Sequence, residues 1–194
     1  MTPAIPYPIG IPGEPWGAEH VAAWRQHQRV QRSYADDVVR RVDALRDAFD
    51  VVEYARIAYG ADTYPVFALK SRGWNDALPS ALVTGGVHGY ETSGVHGALQ
   101  FAQQQAADYA GRFNLLVVPC VSPWAYERIQ RWNANAVDPN RQFRADGHAA
   151  ESAALAALVA PMRERFVVHI DLHETTDSDE SEFRPAKAAR DGEA

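Results

Sequence analysis

Cysteine is almost absent from this sequence: its 194 residues contain one, Cys120. A single thiol closes no disulfide within the chain, which excludes the small cross-linked scaffolds typical of secreted proteins. Its setting, LLVVPCV, marks it as a buried small apolar residue rather than a nucleophile. Long hydrophobic runs are missing too, and no stretch approaches the roughly 18 apolar residues that a membrane-crossing helix needs. The opening MTPAIPYPIGIPGEPWG has neither the basic start nor the continuous apolar core of an export signal, so a soluble cytoplasmic protein with no membrane partner is expected. Positive charge is in deficit: 19 Lys and Arg against 25 Asp and Glu give a formal charge of -6, leaving no global electrostatic reason to bind nucleic acid. There is no internal repeat and no low-complexity linker. What remains is an ordinary globular composition, 46% hydrophobic and 23% charged, on a chain long enough for one sizeable core. A single domain over 1–194 is expected.

Residues 1–16 hold five prolines and read as an extended lead. From Gly17 to about Phe49 the pattern is helical, as two helices broken near QRSYADD, with Ser33 able to cap the second and Val38, Val42, Leu45 and Phe49 as its buried stripe. VVEYARIAYG and TYPVFALKS read as strands joined by a hairpin turn, and ALPSALVTGGV as a third strand. A helix from Glu91 to about Tyr109 follows, with Gly94 and Gly97 permitting close packing. FNLLVVPCV is a fourth strand, residues 122–147 are irregular, HAAESAALAALVAPMRER is a helix and FVVHIDLH a fifth strand. This alternation points to an α/β sandwich around a mixed sheet, whose chemistry belongs outside the strand ends. ETTDSDESE, residues 174–182, carries five acidic side chains and reads as a solvated loop before the tail.

Two constellations carry chemistry. In TGGVHGYETSG, a double glycine ends the third strand and His88 precedes Glu91 by three residues. That spacing brings an imidazole and a carboxylate to one ion if the backbone turns there, but a glutamate at a helix start also serves the helix dipole alone. His173 closes the fifth strand and is the available third ligand. His169 and Asp171 share its face of an extended strand, so Asp171 is placed to orient a ligand, while His169 reads as an ordinary packed histidine. His96 lacks companions for a second metal site.

The second constellation is DPNR at 138–141, within SPWAYERIQRWNANAVDPNRQF. Arg141 is suited to a bidentate contact with a carboxylate, Asn140 to a directed hydrogen bond, and Asp138 to accepting from the free ring nitrogen of a ligating histidine. An ordinary turn with a surface arginine fits the same residues. Trp124, Tyr126 and Trp132 flank this segment as packing anchors or as lining of a cleft.

HGYE at 88–91, VDPNRQF at 137–143 and DLH at 171–173, in that order, resemble the zinc carboxypeptidases, the carboxypeptidase A-like metallocarboxypeptidases, over most of residues 50–175. The resemblance implies a three-layer α/β sandwich with a mixed central sheet, incomplete at its C-terminus. It divides the single domain into an N-terminal lead and helices over 1–49, a catalytic-domain portion over 50–175 and an acidic loop and tail over 176–194. It also implies one Zn2+ held by His88, Glu91 and His173, Asp138 behind His88, and Asn140 and Arg141 gripping the free carboxylate of a peptide or small amino-acid-derived substrate. Arg131, with Arg128 as rival, would polarise the scissile carbonyl. The implied activity is removal of a C-terminal residue from a peptide by metal-activated water. The alternatives are a zinc amidohydrolase acting on an acylated amino acid and a non-catalytic homologue that binds metal and carboxylate. The resemblance further places a general-base glutamate and a substrate-facing tyrosine well beyond the third ligand, where this sequence continues for only 21 residues. A fragment of a longer enzyme, inactive alone, is therefore the expectation, with Glu174, Glu180 and Glu182 as poor substitutes. Oligomeric state is not legible.

Overall fold

The computed structural model of the protein describes residues 7–175 and 179–193. Two compact units emerge from it. One comprises the described residues through Arg29 together with those from Thr175 onward. It contains helices α1 (Ala18–His27) and α6 (Arg184–Asp191), tied where the Trp16 amide donates to the Arg190 carbonyl at 2.8 Å. The other, Val30–Glu174, carries a five-stranded sheet and every residue of the site described below.

In this second unit β1 (Phe49–Tyr59) and β2 (Asp62–Ser71) form an antiparallel hairpin. β2 pairs antiparallel with β4 (Asn114–Val118), β4 parallel with β3 (Ser80–Gly85), and β3 parallel with β5 (Phe166–Leu172), giving the order β1-β2-β4-β3-β5. Every residue of β3 and β4 is buried, which is why SALVTG and NLLVV lack the alternation of a half-exposed strand. Parallel neighbours require crossovers, supplied by α3 (Thr92–Gln104) between β3 and β4 and by α5 (Ala150–Val159) before β5. α3 packs on β3 and β5. On the opposite face Ala68, Leu82, Leu116 and Val118 form a buried cluster with Leu155 of α5. The architecture is the expected mixed α/β sandwich with helices on both faces of a mixed sheet.

β5 is an outer strand of this sheet, and its Val167, Val168 and Ile170 are 66%, 40% and 48% exposed. Beside it an apolar groove runs past Phe101, Tyr109 and Phe113.

Four local differences from the sequence expectations have physical causes. The second helical segment, a π-turn over Ala35–Val39 leading into α2 (Arg40–Asp43), ends before Phe49, which instead opens β1 opposite Ser71. Ser33 Oγ does accept the Asp36 amide at 3.0 Å. The irregular stretch contains a short helix, α4 (Pro123–Arg128), begun by a proline in its first turn and too brief to show a helical period. After α5 the chain tightens to a 3-10 helix over Ala160–Arg165, with Pro161 near its start. Of the acidic segment, 176–178 lie outside the described residues, and Asp179–Phe183 form a helical turn running into α6 rather than an open loop. Ion pairs at helical spacing, Arg184 to Glu180 at 3.0 Å and Lys187 to Asp191 at 2.9 Å, accompany it.

Candidate metal centre

The site lies at the C-terminal ends of β3 and β5. Gly86, at φ +61°, turns the chain out of β3 in the left-handed region that a side chain disfavours. The loop that follows is held by the Ser122 hydroxyl donating to the Val87 carbonyl at 2.7 Å and by the Tyr90 amide donating to the Gln130 carbonyl at 3.0 Å. Gly94 sits so close to β5 that an added Cβ would lie 2.2 Å from the Leu172 carbonyl oxygen. This approach brings the start of α3, and Glu91 at its N-cap, beside His173.

Glu91 does not cap the helix with its side chain. Its carboxylate turns inward, with Oε1 2.7 Å from His88 Nδ1 and Oε2 2.6 Å from His173 Nδ1. The two imidazole centroids are 5.2 Å apart. His88 and Glu91 are each 2% exposed, whereas His173 is about a third exposed, so the cluster opens to solvent on the His173 side. One donor atom from each of the three residues lies within 4.8 Å of the others. Ligand atoms on one tetrahedral zinc stand roughly 3.4 Å apart, since each bond is about 2.0–2.1 Å. Two imidazoles and a carboxylate at this spacing fit a single divalent ion.

The outer nitrogen of each histidine meets a second carboxylate. His88 Nε2 is 2.9 Å from Asp138 Oδ1, and His173 Nε2 is 2.5 Å from Asp171 Oδ2. Burial alone would raise the Asp138 carboxyl, but the hydrogen bond and charge of His88 and the guanidinium of Arg131 outweigh it and hold the pKa at about 2. An ionised carboxylate only accepts, so His88 Nε2 carries a proton toward Asp138, and Nδ1 is the nitrogen that faces the centre. Burial lowers the pKa of His88, yet its hydrogen bonds to Asp138 and Glu91 raise it overall above the ordinary histidine value.

Asp138 also organises the neighbouring segment. Its Oδ1 accepts the Asn140 amide at 3.0 Å and its Oδ2 accepts Arg131 Nε at 3.2 Å. Arg131 donates through Nη1 to the Tyr90 hydroxyl at 2.8 Å, so its guanidinium is fixed beside the cluster. Arg128 is committed elsewhere: it donates to Tyr64 Oη and Asp62 Oδ2, each at 2.9 Å, and stacks 4.7 Å from the centre of the Trp124 ring. Between the two arginines Ile129 adopts φ 54°, ψ 52°, a left-handed conformation rare for a β-branched residue, and the chain reverses there. Asn140 is half-buried and Arg141 exposed, on a 3-10 turn (Pro139–Arg141) that is pinned by Ser152 Oγ donating to the Pro139 carbonyl at 2.7 Å. Glu174 turns away to the N-terminus of α3, where its Oε2 accepts from the amide and hydroxyl of Ser93. Trp124, Tyr126 and Trp132 are each at most 2% exposed and serve as packing.

The profile of the succinylglutamate desuccinylase/aspartoacylase catalytic domain matches residues 77–188, which contain all of these site residues. The chain belongs to that family. No curated protein sequence matches it. Among solved structures, a proposed metallopeptidase from Shewanella baltica OS155 is 26% identical at a TM-score of 0.53, over 64% of this chain and 47% of that one. A succinylglutamate desuccinylase/aspartoacylase from Rhodobacter sphaeroides is 22% identical at a TM-score of 0.50, over 61% and 38%. A metallo-carboxypeptidase from Burkholderia cenocepacia is 17% identical at a TM-score of 0.59, over 83% and 42%. This member of the desuccinylase/aspartoacylase family thus spans about half the length of the structures it matches. Its likeness to the metallo-carboxypeptidase is one of fold, so the expected carboxypeptidase A-type assignment holds at the level of the shared metallopeptidase superfamily, while the matched family is that of the desuccinylases and aspartoacylases. No helix among the described residues is long and apolar enough to cross a membrane.

Two groups in this site are not singled out by sequence reasoning. Tyr90 reads as the variable residue of HGYE, and Thr84 as an ordinary residue of a buried strand. The first holds Arg131; the second donates to Asp171 Oδ1 at 2.6 Å.

Proposed function

We propose that this chain carries the zinc-binding part of an amidohydrolase that releases an acyl group from an amino acid bearing a free carboxylate. The observation that carries the reading is the His88, Glu91 and His173 donor set, with a carboxylate behind each histidine, inside a domain matched by the desuccinylase/aspartoacylase profile. By name, a desuccinylase and an aspartoacylase act on acylated amino acids, which favours this substrate class over the C-terminus of a peptide. Zinc bound there supplies Lewis acidity, which polarises a carbonyl and acidifies water.

The remaining steps fall to the chain's own residues. Asp138 and Asp171 keep the histidine protons on Nε2 and so hold Nδ1 available. Arg131, locked between Asp138 and Tyr90, presents a fixed positive charge to the oxygen of the scissile carbonyl, where negative charge develops. Asn140 and the exposed Arg141 take the substrate carboxylate, the arginine in its two-pronged geometry. Because Asp138, Asp171 and Glu174 are already engaged, none of them is assigned as the proton carrier.

Calorimetric titration of the zinc-loaded chain with N-succinyl-L-glutamate, N-acetyl-L-aspartate and an unblocked tripeptide tests this reading. Saturable binding of an acylated amino acid, weakened at least about tenfold by Arg141→Ala, is expected. Preferential binding of the tripeptide would favour the carboxypeptidase reading, and heat from none of the three would remove the substrate assignment.

A further inference from the structure

We propose that Thr84 and His169 are positioning residues of the metal centre, aiming Asp171, and through it the imidazole of His173, so that Nδ1 faces the donor set. The inference rests on the reading of His88, Glu91 and His173 as a zinc site. Thr84 of β3 pairs with Asp171 of β5, and Leu82, two residues earlier, pairs with His169. Residues two apart on a strand share a face, so Thr84, His169 and Asp171 leave the sheet on the same side. Thr84 is fully buried, while His169 is exposed.

Proton counting fixes the direction of each contact. Thr84 Oγ1 donates to Asp171 Oδ1 at 2.6 Å, and His169 Nε2 lies 2.9 Å from the same hydroxyl oxygen. A hydroxyl has one proton and two lone pairs. With its proton given to the carboxylate, Oγ1 can only accept from His169, which must carry a proton on Nε2. On the other side Asp171 Oδ2 accepts from His173 Nε2 at 2.5 Å, leaving Nδ1, 2.6 Å from Glu91, as the inward-facing nitrogen. His169 therefore sets the rotor of Thr84, Thr84 sets the carboxylate of Asp171, and Asp171 sets the tautomer and tilt of His173. The arrangement parallels the other histidine, where the Asn140 amide and Arg131 fix Asp138 behind His88. Each ligand imidazole has its own carboxylate, and each carboxylate is held by a further donor. Partners of this kind typically change metal affinity about 10–100-fold.

The test is zinc affinity of the full chain, measured by competition with a chromophoric chelator, with the visible spectrum of the Co2+-substituted protein as a second readout. Thr84→Val fills the same space without the hydroxyl and should weaken zinc at least about tenfold and shift the Co2+ bands, whereas Thr84→Ser should stay within about threefold of wild type. His169→Ala alters an exposed position whose loss does not threaten folding, and a weakening of about threefold is expected. Thr84→Val with unchanged affinity and spectrum would overturn the proposal, as would a Thr84→Ser variant as weak as the valine. If Thr84→Val does not fold, unchanged binding by His169→Ala overturns it instead. Wild-type chain that takes up no zinc would overturn the ligand assignment itself, an outcome distinct from wild-type binding that the variants leave unaltered.

Discussion

Replacing Asp138 by Asn preserves shape but removes a charge that three donors share. Asp138 accepts from His88 Nε2, the Asn140 amide and Arg131 Nε. An amide offers one oxygen and one NH2, so in Asp138→Asn the NH2 confronts either the imidazole or the guanidinium, donor against donor. The depression of the Asp138 pKa from 3.8 to about 2 stabilises the metal-free protein. At about 1.4 kcal/mol per unit it amounts to about 2 kcal/mol at neutral pH, with little discount for screening because the side chain is only 13% exposed. The sign follows from the direction: a carboxylate with a depressed folded pKa contributes above its unfolded pKa, near 3.8, and the contribution disappears as pH falls through about 2. Urea unfolding of the metal-free wild type and Asp138→Asn at pH 7 and pH 3 measures this. The variant should be less stable by about 2 kcal/mol at pH 7 and by roughly half that at pH 3. Equal stabilities at pH 7, or a difference that does not shrink on acidification, would refute the placement of Asp138 between His88 and Arg131.

Zinc uptake should release protons, because the Nδ1 to Oε contacts of Glu91 with His88 and His173 are hydrogen bonds occupying the place of a metal; calorimetry in two buffers of different ionisation enthalpy should show between about one and two protons per zinc, and none would contradict the geometry. The raised pKa of His88, with burial outweighed by Asp138 and Glu91, stabilises the metal-free fold at acid pH and fades as pH rises through the folded value, so zinc affinity should climb across the same window in a pH series. Arg131 and Arg128 should separate cleanly: Arg128→Ala breaks contacts to Asp62 and Tyr64 and should lower stability by about 2–3 kcal/mol in urea, whereas Arg131→Ala should leave zinc stoichiometry intact while weakening binding of a tetrahedral oxyanion mimic of amide hydrolysis.

The grouping of His88, Glu91 and His173 was readable from the chain because His173 directly follows one apolar strand, His88 lies in the loop after another and Glu91 opens the next helix, and neighbouring strand ends converge. At Glu91 the geometry counts against the capping alternative: the residue occupies the N-cap position, but its carboxylate makes no cap bond and faces two histidines. The choice between Arg131 and Arg128 was not decidable from spacing, because the left-handed turn at Ile129 sends side chains three residues apart to different partners, and β-branched residues give no sequence warning of that conformation. Thr84 was invisible for a different reason. A lone threonine in LVTGG looks like any strand residue, and its partner Asp171 is 87 positions away. Short elements were also lost: α4 has six residues, too few for periodicity, and the turn into α6 lies in a segment whose acidity reads as solvation.

Metal content tests the central claim most directly. Equilibrium dialysis of the purified chain against micromolar zinc, followed by elemental analysis, should give one zinc per chain for wild type and near none for His88→Ala, Glu91→Ala and His173→Ala, each checked for retained fold by circular dichroism. Folded wild-type protein that holds no zinc, or any of the three folded variants that keeps a full equivalent, would contradict the assignment of these residues as a single metal centre.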